Sequence, residues 1–401
     1  MIRYVFLAVV TSVWFLAHAY LGRRLVDSWS PPRWARALGW GALIVNASLS
    51  LSVLLVRDVA SWGTPGYVLQ WAAYLGMGAF LLTLSLTVVR DLALALIGLV
   101  EKVGERTEGP VSAGHVEGAS RLSRRRLLMG ASSAGVAAAA AGATGYGVRQ
   151  ARGVPEVKEV VVPVEGLHAD LEGFTIVQIS DLHVGLTIRE DFLRGVVDRV
   201  NTLGADIVAI TGDLVDGLPD TIAGEIEPLR DLKAREGVYY VTGNHEYYWD
   251  ALGWIERVSG MGIRALVNAH DVVRRGEARL VVAGVTDYSA ERAMPAHRSD
   301  PEAALRGAPE GVDFKLLLAH QPKSVYAAAD AGFDLQLSGH THGGQFYPWT
   351  FVVGLAHPFI AGLERYAGKM WIYVSRGTGY WGPPIRIGAP PEITRLVLRR
   401  A

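Results

Sequence analysis

The chain has no cysteine among its 401 residues. Disulfides and thiolate metal sites are therefore excluded, and any bound metal must use nitrogen and oxygen ligands. It also lacks an excess of either charge, since 39 Lys and Arg stand against 39 Asp and Glu. The two parts differ, however: residues 1–150 carry a net charge of +7 and residues 151–401 a net −7. An acidic second part lacks the basic footprint of a general DNA or RNA binder, so no nucleic-acid partner is expected. No internal repeat is present. What the chain has in quantity is apolar surface: 50% of its residues are hydrophobic and its mean hydropathy is positive. That exceeds an ordinary soluble protein and predicts membrane spans joined to a globular part.

Three stretches contain no charged residue: Tyr4 to Gly22, Ala37 to Val56 and Ala60 to Val89. Each can cross a hydrocarbon core of about 30 Å at about 1.5 Å per helical residue. His18 and Asn46, inside them, read as packing or helix–helix contacts. Residues 1–100 are thus expected to form an all-α, three-helix transmembrane region, with Leu92 to Val100 extending the third helix. Arg23, Arg24, Arg33 and Arg36 against Asp27 make the first loop basic, whereas the second carries only Arg57 and Asp58. The positive-inside rule places the first loop in the cytoplasm. Residues 101–126, polar and charge-mixed and including His115, read as a cytoplasmic linker. Arg124, Arg125 and Arg126 then precede an uncharged, Ala- and Gly-rich stretch from Leu127 to Val148. Residues 127–150 resemble a twin-arginine export signal or, alternatively, form a fourth membrane helix. Both readings place the remainder outside: a multi-pass protein of the cell inner membrane with an extracytoplasmic globular domain.

From residue 154 to 401 the pattern is α/β. Apolar strand candidates end in polar or Gly-rich turns: Phe174–Ser180, Asp206–Thr211, Gly237–Thr242, Leu280–Val285, Phe314–Ala319, Leu335–Ser338, Trp371–Ser375 and Ile393–Leu398. Helical spacing is clearest in Glu190–Leu203.

Candidate metal ligands follow those strands: Asp181 and His183 after the first, Asp213 after the second, Asn244 and His245 after the third. His320 follows Leu316–Ala319, and Ser338-Gly339-His340-Thr341-His342-Gly343-Gly344-Gln345 follows Leu335–Leu337. On an extended backbone, residues two apart share a side, so Asp181 with His183, and His340 with His342, are expected to point into one space. Open α/β sheets bind ligands at strand C-termini, and five of the 11 His fall at such positions. Imidazole with carboxylate suits Mn, Fe, Zn or Ni, whereas a magnesium site rarely recruits so many His. Two metals about 3.5–4 Å apart need a bridging ligand, which a carboxylate supplies.

Asp-x-His, Gly-Asp, Gly-Asn-His-Glu, a single His and Gly-His-Thr-His, in that order, resemble the calcineurin-like metallophosphoesterase superfamily over roughly residues 170–400. The Gly-His-Thr-His-Gly-Gly-Gln form and the Gly382-Pro383-Pro384-Ile385-Arg386 tail look most like its bacterial membrane-attached or exported branch. The resemblance implies two packed mixed β-sheets flanked by helices, and two divalent ions. It implies that Asp181, His183 and His342 bind one, that Asn244, His320 and His340 bind the other, and that Asp213 bridges. It gives His245 a non-ligating catalytic role beside the leaving oxygen. Asp216, Glu246 and Asp287 read as supporting or turn residues, Arg376 as a turn residue, and His168, His270, His297 and His357 as ordinary surface or core residues.

The implied activity is metal-dependent phosphoester hydrolysis, more readily of a diester because His245 is available to the leaving group. Aromatic patches at Tyr247-Tyr248-Trp249 and Phe346–Phe351 are expected either to pack or to wall a site for a phospholipid or nucleotide-linked lipid. The alternative function is a membrane receptor that binds a phosphorylated ligand without turnover.

Overall fold

Every residue of Thr175–Ile179 and of Ile207–Thr211 is buried, with none of the alternation of a sheet wetted on one face. Such strands require cover on both sides. The computed structural model, which describes residues 2–55, 62–108, 117–368 and 370–401, supplies it with two stacked sheets and outer helices. The strands are β1 (Glu156–Val164), β2 (Thr175–Ile179), β3 (Ile207–Thr211), β4 (Gly237–Val241), β5 (Arg264–Ala265) and β6 (Ala269–Arg275). They continue as β7 (Ala278–Gly284), β8 (Phe314–Leu318), β9 (Leu335–Ser338), β10 (Gly362–Tyr366), β11 (Met370–Val374) and β12 (Glu392–Arg400).

The first sheet has the order β1-β12-β2-β3-β4-β5 and the second β10-β11-β9-β8-β7-β6. Both are mixed. In the first, β2, β3, β4 and β5 run parallel and β12 is antiparallel to β2. In the second, β7, β8, β9 and β11 run parallel, with antiparallel β6 and β10 at the edges. Ile176, Ile207 and Tyr239 from one sheet meet Leu280, Leu316 and Leu335 from the other in the central core. The outer face of the first sheet, with Val177, Val208 and Ile210, is covered by Leu193, Val196, Val197 and Val200 of the helix Glu190–Asn201 and by Trp254. Val325 and Ala328 help cover Val281, Leu317 and Ile372 on the other side. The parallel strands of each sheet thus deliver their C-terminal loops together, the usual place for a ligand site.

The eight expected strands are all present. β1, β5, β6 and β10 are additional, and their sequences explain the omission: β5 has two residues, and β6 and β10 are edge strands carrying Asp271, Arg274, Glu364 and Arg365. β1, also an edge strand, contains Pro163.

The chain divides into two compact units, residues 1–59 with 64–146, and residues 147–401 with 60–63. In the first lie α1 (Ile2–Leu21), α2 (Arg33–Leu55), α3 (Thr64–Glu108) and most of α4 (Glu117–Arg152). Among the described residues, Thr64–Val100 and Leu127–Arg152 are long and apolar enough to cross a membrane by length and composition. Leu92 to Val100 does extend the third helix. The stretch 101–126, expected as a linker, is helical at both ends because α3 runs to Glu108 and α4 starts at Glu117. Residues 109–116, with His115, lie outside the described residues, as do Arg57 and Asp58. Asn46 Nδ2 donates to the Gly76 carbonyl at 3.0 Å, and His18 stacks on Phe80 at 3.7 Å between ring centroids, so both make helix–helix contacts. Asp91 gathers Tyr20 (2.5 Å), Arg90 (2.8 Å) and Arg24, while Arg90 also donates to Ser133 Oγ at 3.1 Å.

Candidate metal centre

The loops after β2 and β3 stay paired beyond the strands. Asp181 N–H donates to Gly212 O and His183 N–H to Asp213 O, each at 3.0 Å. This continued pairing sets Asp181, His183 and Asp213 side by side. The expected extended geometry is not what aims them. Asp181, His183, His340 and His342 have φ of 53°, 50°, 74° and 52°, in the left-handed region, because the chain turns sharply away from each sheet as its strand ends. Gly339 is needed for close approach: a Cβ there would lie 2.0 Å from Ser180 Oγ and 2.1 Å from Asp181 Oδ2. His340 N–H donates to Asp181 Oδ1 at 2.8 Å, tying the second sheet's loop to the first.

Three interlocking groups result: Asp181, His183 and His342; His183, Asp213 and His245; and Asp213, His320 and His340. His183 Nε2 lies 3.1 Å from His342 Nε2, and His342 Nε2 lies 3.4 Å from Asp181 Oδ1. On the other side, His320 Nε2 lies 3.2 Å from His340 Nδ1 and 3.1 Å from Asp213 Oδ2. The same Asp213 Oδ2 is 3.7 Å from His183 Nε2, so this carboxylate stands between the two sets. His340 and His342 therefore face different groups, not one shared space. Asn244 starts a short helix after β4, and its Oδ1 is buried without a hydrogen-bond partner, as is Asp181 Oδ2.

These features fit cations. Bonds of about 2.0–2.1 Å to one ion put neighbouring ligand atoms roughly 3 Å apart, the spacing seen in both His pairs. Buried polar atoms left unpaired cost about 1–3 kcal/mol each, and coordination would satisfy them. The charges agree. Burial opposes ionisation of Asp213, but the imidazoles of His320 and His245 hold its carboxyl well below the usual range. Burial, with His320 nearby, pushes His340 down to about 3, and burial with Arg386 holds His342 well down, so both keep free lone pairs. Carboxylates with several imidazoles make a donor set that Mn, Fe, Zn or Ni suits.

Residues around these groups orient them. Asp216 sits 3.2 Å from His183 Nδ1 and 2.5 Å from His245 Nδ1. Burial disfavours the His245 imidazolium, but Asp216 and Asp213 overcome this and push it up to about 9. Glu246, fully buried, accepts from Leu214 N–H at 2.7 Å and Gly243 N–H at 2.6 Å, clamping the β3 and β4 loops together. Asp287 instead holds Gln321 and Ser289. Arg376 stays in its turn, 3.9 Å from Glu392.

Two residues exceed the sequence reading. His357, expected as an ordinary residue, has its ring 5.0 Å from that of His340. Arg386, 1% exposed, donates to the carbonyls of His342 and Arg376, each at 2.8 Å, and approaches His342 Nδ1 at 3.1 Å. It bolts the His342 loop to the following turn. Its place in the Gly-Pro-Pro-Ile-Arg tail was the signal available, although nothing local to that tail indicates burial.

The fold and the clustered His and Asp side chains define a two-sheet protein with a candidate metal centre at its strand ends. The family profile described as calcineurin-like phosphoesterase matches residues 174–344. A Danio rerio "transmembrane protein with metallophosphoesterase domain" is 41% identical over 263 residues, 64% of this chain and 60% of that protein. An uncharacterized metallophosphoesterase of Helicobacter pylori strain J99 is 37% identical over 245 residues, 61% of this chain and 64% of its own length. One from Aquifex aeolicus is 31% identical over 249 residues, 61% of this chain and 91% of its own. The chain belongs to the calcineurin-like metallophosphoesterases, and it spans about 60% of the length of the Danio rerio and Bos taurus relatives it matches.

Proposed function

We propose that the protein is a dinuclear metal-dependent phosphoesterase, acting on a phosphodiester at the extracytoplasmic face of the cell inner membrane. The observation that carries the reading is Asp213, whose carboxylate stands between two groups of ligand-spaced histidines. Asp181, His183 and His342 would hold one divalent ion and Asn244, His320 and His340 the second, with the Asp213 carboxylate beside both groups. Bound there, Mn, Fe, Zn or Ni would supply Lewis-acid polarisation of the phosphoryl group and a strong oxygen nucleophile at neutral pH.

His245 adjoins the ligand sets, in a group with His183 and Asp213, and is taken as the non-ligating member, with Nε2 3.9 Å from Asp213 Oδ2. Its Nδ1 faces Asp216, so Nε2 is the nitrogen left to face substrate. Asp216 stabilises the imidazolium, and His245 delivers its Nε2 proton to the leaving alkoxide. Such help matters for an ester whose leaving group is a poor one, which favours diesters carrying glycerol- or sugar-like alcohols. α3, α4 and the two shorter helices anchor the enzyme as a multi-pass protein. The Arg124–Arg126 cluster, within α4, is the cytoplasmic flank of its apolar segment Leu127–Arg152, in the manner of the exported branch. A membrane position makes a phospholipid or nucleotide-linked lipid the favoured substrate class.

The test uses the full chain in detergent, stripped of metal and reloaded with Mn, Zn, Ni or Fe(II). Hydrolysis of a chromogenic diester and monoester is expected only after reloading, with the diester preferred and turnover abolished in Asp213→Asn. Metal binding without turnover of any ester would instead favour a receptor that senses a phosphorylated ligand.

A further inference from the structure

Directly after the His340–Gln345 turn the chain forms the helix Trp349–Ala356, which has no charged residue and no buried one. Phe351 is 69% exposed and Leu355 90%, and Tyr347, Trp349 and Val352 are exposed with them. A helix of about 12 Å that presents this face to water gains nothing from it, and two turns are too short to persist unaided. It is held from beneath at both ends. A Cβ on Gly344 would lie 2.2 Å from Thr350 Cα, so the helix backbone rests on the metal loop itself. At the far end, the His357 ring sits 5.0 Å from that of His340.

The last turn of α4 arrives at the same face of this unit. Gly147 packs so tightly on Ile385 that a Cβ would meet its Cγ2 at 2.5 Å, and Gly147 O accepts the Arg386 N–H at 3.1 Å. One residue on, Ile387 N–H donates to Gln345 O at 3.1 Å, and the Tyr347 ring lies against Gly388. The apolar segment Leu127–Arg152, long enough to cross a membrane, thus ends one hydrogen-bonded segment away from the start of the exposed apolar helix.

We propose that Tyr347–Ala356 is a lipid-contacting surface, lying in the interfacial layer of the bilayer that α4 crosses. Tyr and Trp at its start and Phe, Val and Leu beyond them are the composition of an interfacial helix, whose apolar face sinks about 5–10 Å. Because its ends touch Gly344 and His340, the surface sets the metal centre immediately above the headgroups. The consequence for substrate, that the phosphoester comes from the lipid side, rests on the hydrolase reading; the lipid contact does not.

The absence of cysteine makes the test direct. Phe351→Cys, Leu355→Cys and, as an exposed control, Glu256→Cys are introduced singly into the full chain, labelled with a nitroxide and reconstituted in phospholipid vesicles. Labels at 351 and 355 are expected to relax several-fold more with dissolved oxygen than with a water-soluble nickel chelate, and the label at 256 the reverse. Labels at 351 and 355 that behave like the one at 256 would overturn the proposal. So would dipolar broadening between copies, which would show a second chain covering the helix. Hydrolysis of a water-soluble diester on the same samples separates the two readings: lipid contact without metal-dependent turnover sinks only the hydrolase.

Discussion

Two polar clusters, one partly and one almost fully enclosed, show how similar ingredients produce opposite demands. In the helical unit, Asp91 takes hydrogen bonds from Tyr20, Arg24 and Arg90, and Arg90 uses its remaining donors on Ser133 and the Arg24 carbonyl. Charge meets charge and donor meets acceptor, so the cluster is complete and its work is to join helices. In the two-sheet unit, two pairs of imidazole nitrogens face one another at 3.1 and 3.2 Å, and Asp181 Oδ2 and Asn244 Oδ1 have no hydrogen-bond partner. Candidate ligand atoms converge there, and some of the buried ones have no partner. A closed network stabilises a fold, whereas an open one calls for cations, and chemistry follows from the second kind.

The sharpest way to break this contrast is at Gly339. Gly339→Ala drives a methyl group into Ser180 Oγ and Asp181 Oδ2. Residues that merely orient metal ligands cost about 10–100-fold when lost, so displacing a ligand should exceed about 100-fold in turnover and weaken metal retention. Turnover assays and metal analysis of the purified variant check both. An active Gly339→Ala protein with full metal content would mean that Asp181 is not a ligand.

His245→Ala comes next. For an alkyl diester the expected loss is about 10²–10⁴-fold, the range for a positioned general acid. For a nitrophenyl ester, whose leaving group needs no proton, the loss should shrink markedly while metal content stays unchanged. An equal loss on both esters would remove His245 from leaving-group duty.

The smallest effect on catalysis belongs to Asp91→Ala. Uncovering Arg24 and Arg90 should destabilise the helical unit by on the order of 3 kcal/mol, read from denaturant unfolding in detergent. Hydrolysis of a soluble diester should stay within about twofold of the parent. A large catalytic loss would show that the two clusters are coupled after all.

Much of this was legible in the chain. β2 and β3 announce themselves as continuous apolar runs because both of their faces are covered, and each strand carrying a site residue ends in a Gly- or His-bearing loop. The edge strands β6 and β10 were not legible, since an edge needs no apolar continuity. Asp216 and Glu246 were visible beside their motifs, but their tasks were not. One bonds His245 and lies 3.2 Å from His183, and the other holds three backbone amides across separate loops.

Composition and order alone determined that any metal would be held by nitrogen and oxygen, that apolar stretches precede an α/β domain, and which residues stand at strand ends. These are local properties: a residue's type and its neighbours suffice. Only the tertiary structure decided that His183 and His342 come within 3.1 Å, that Arg386 is buried beneath His342, and that the Trp349–Ala356 helix stays bare. Those facts depend on contacts spanning tens to hundreds of residues, such as His183 with His342, and no window of sequence contains both partners.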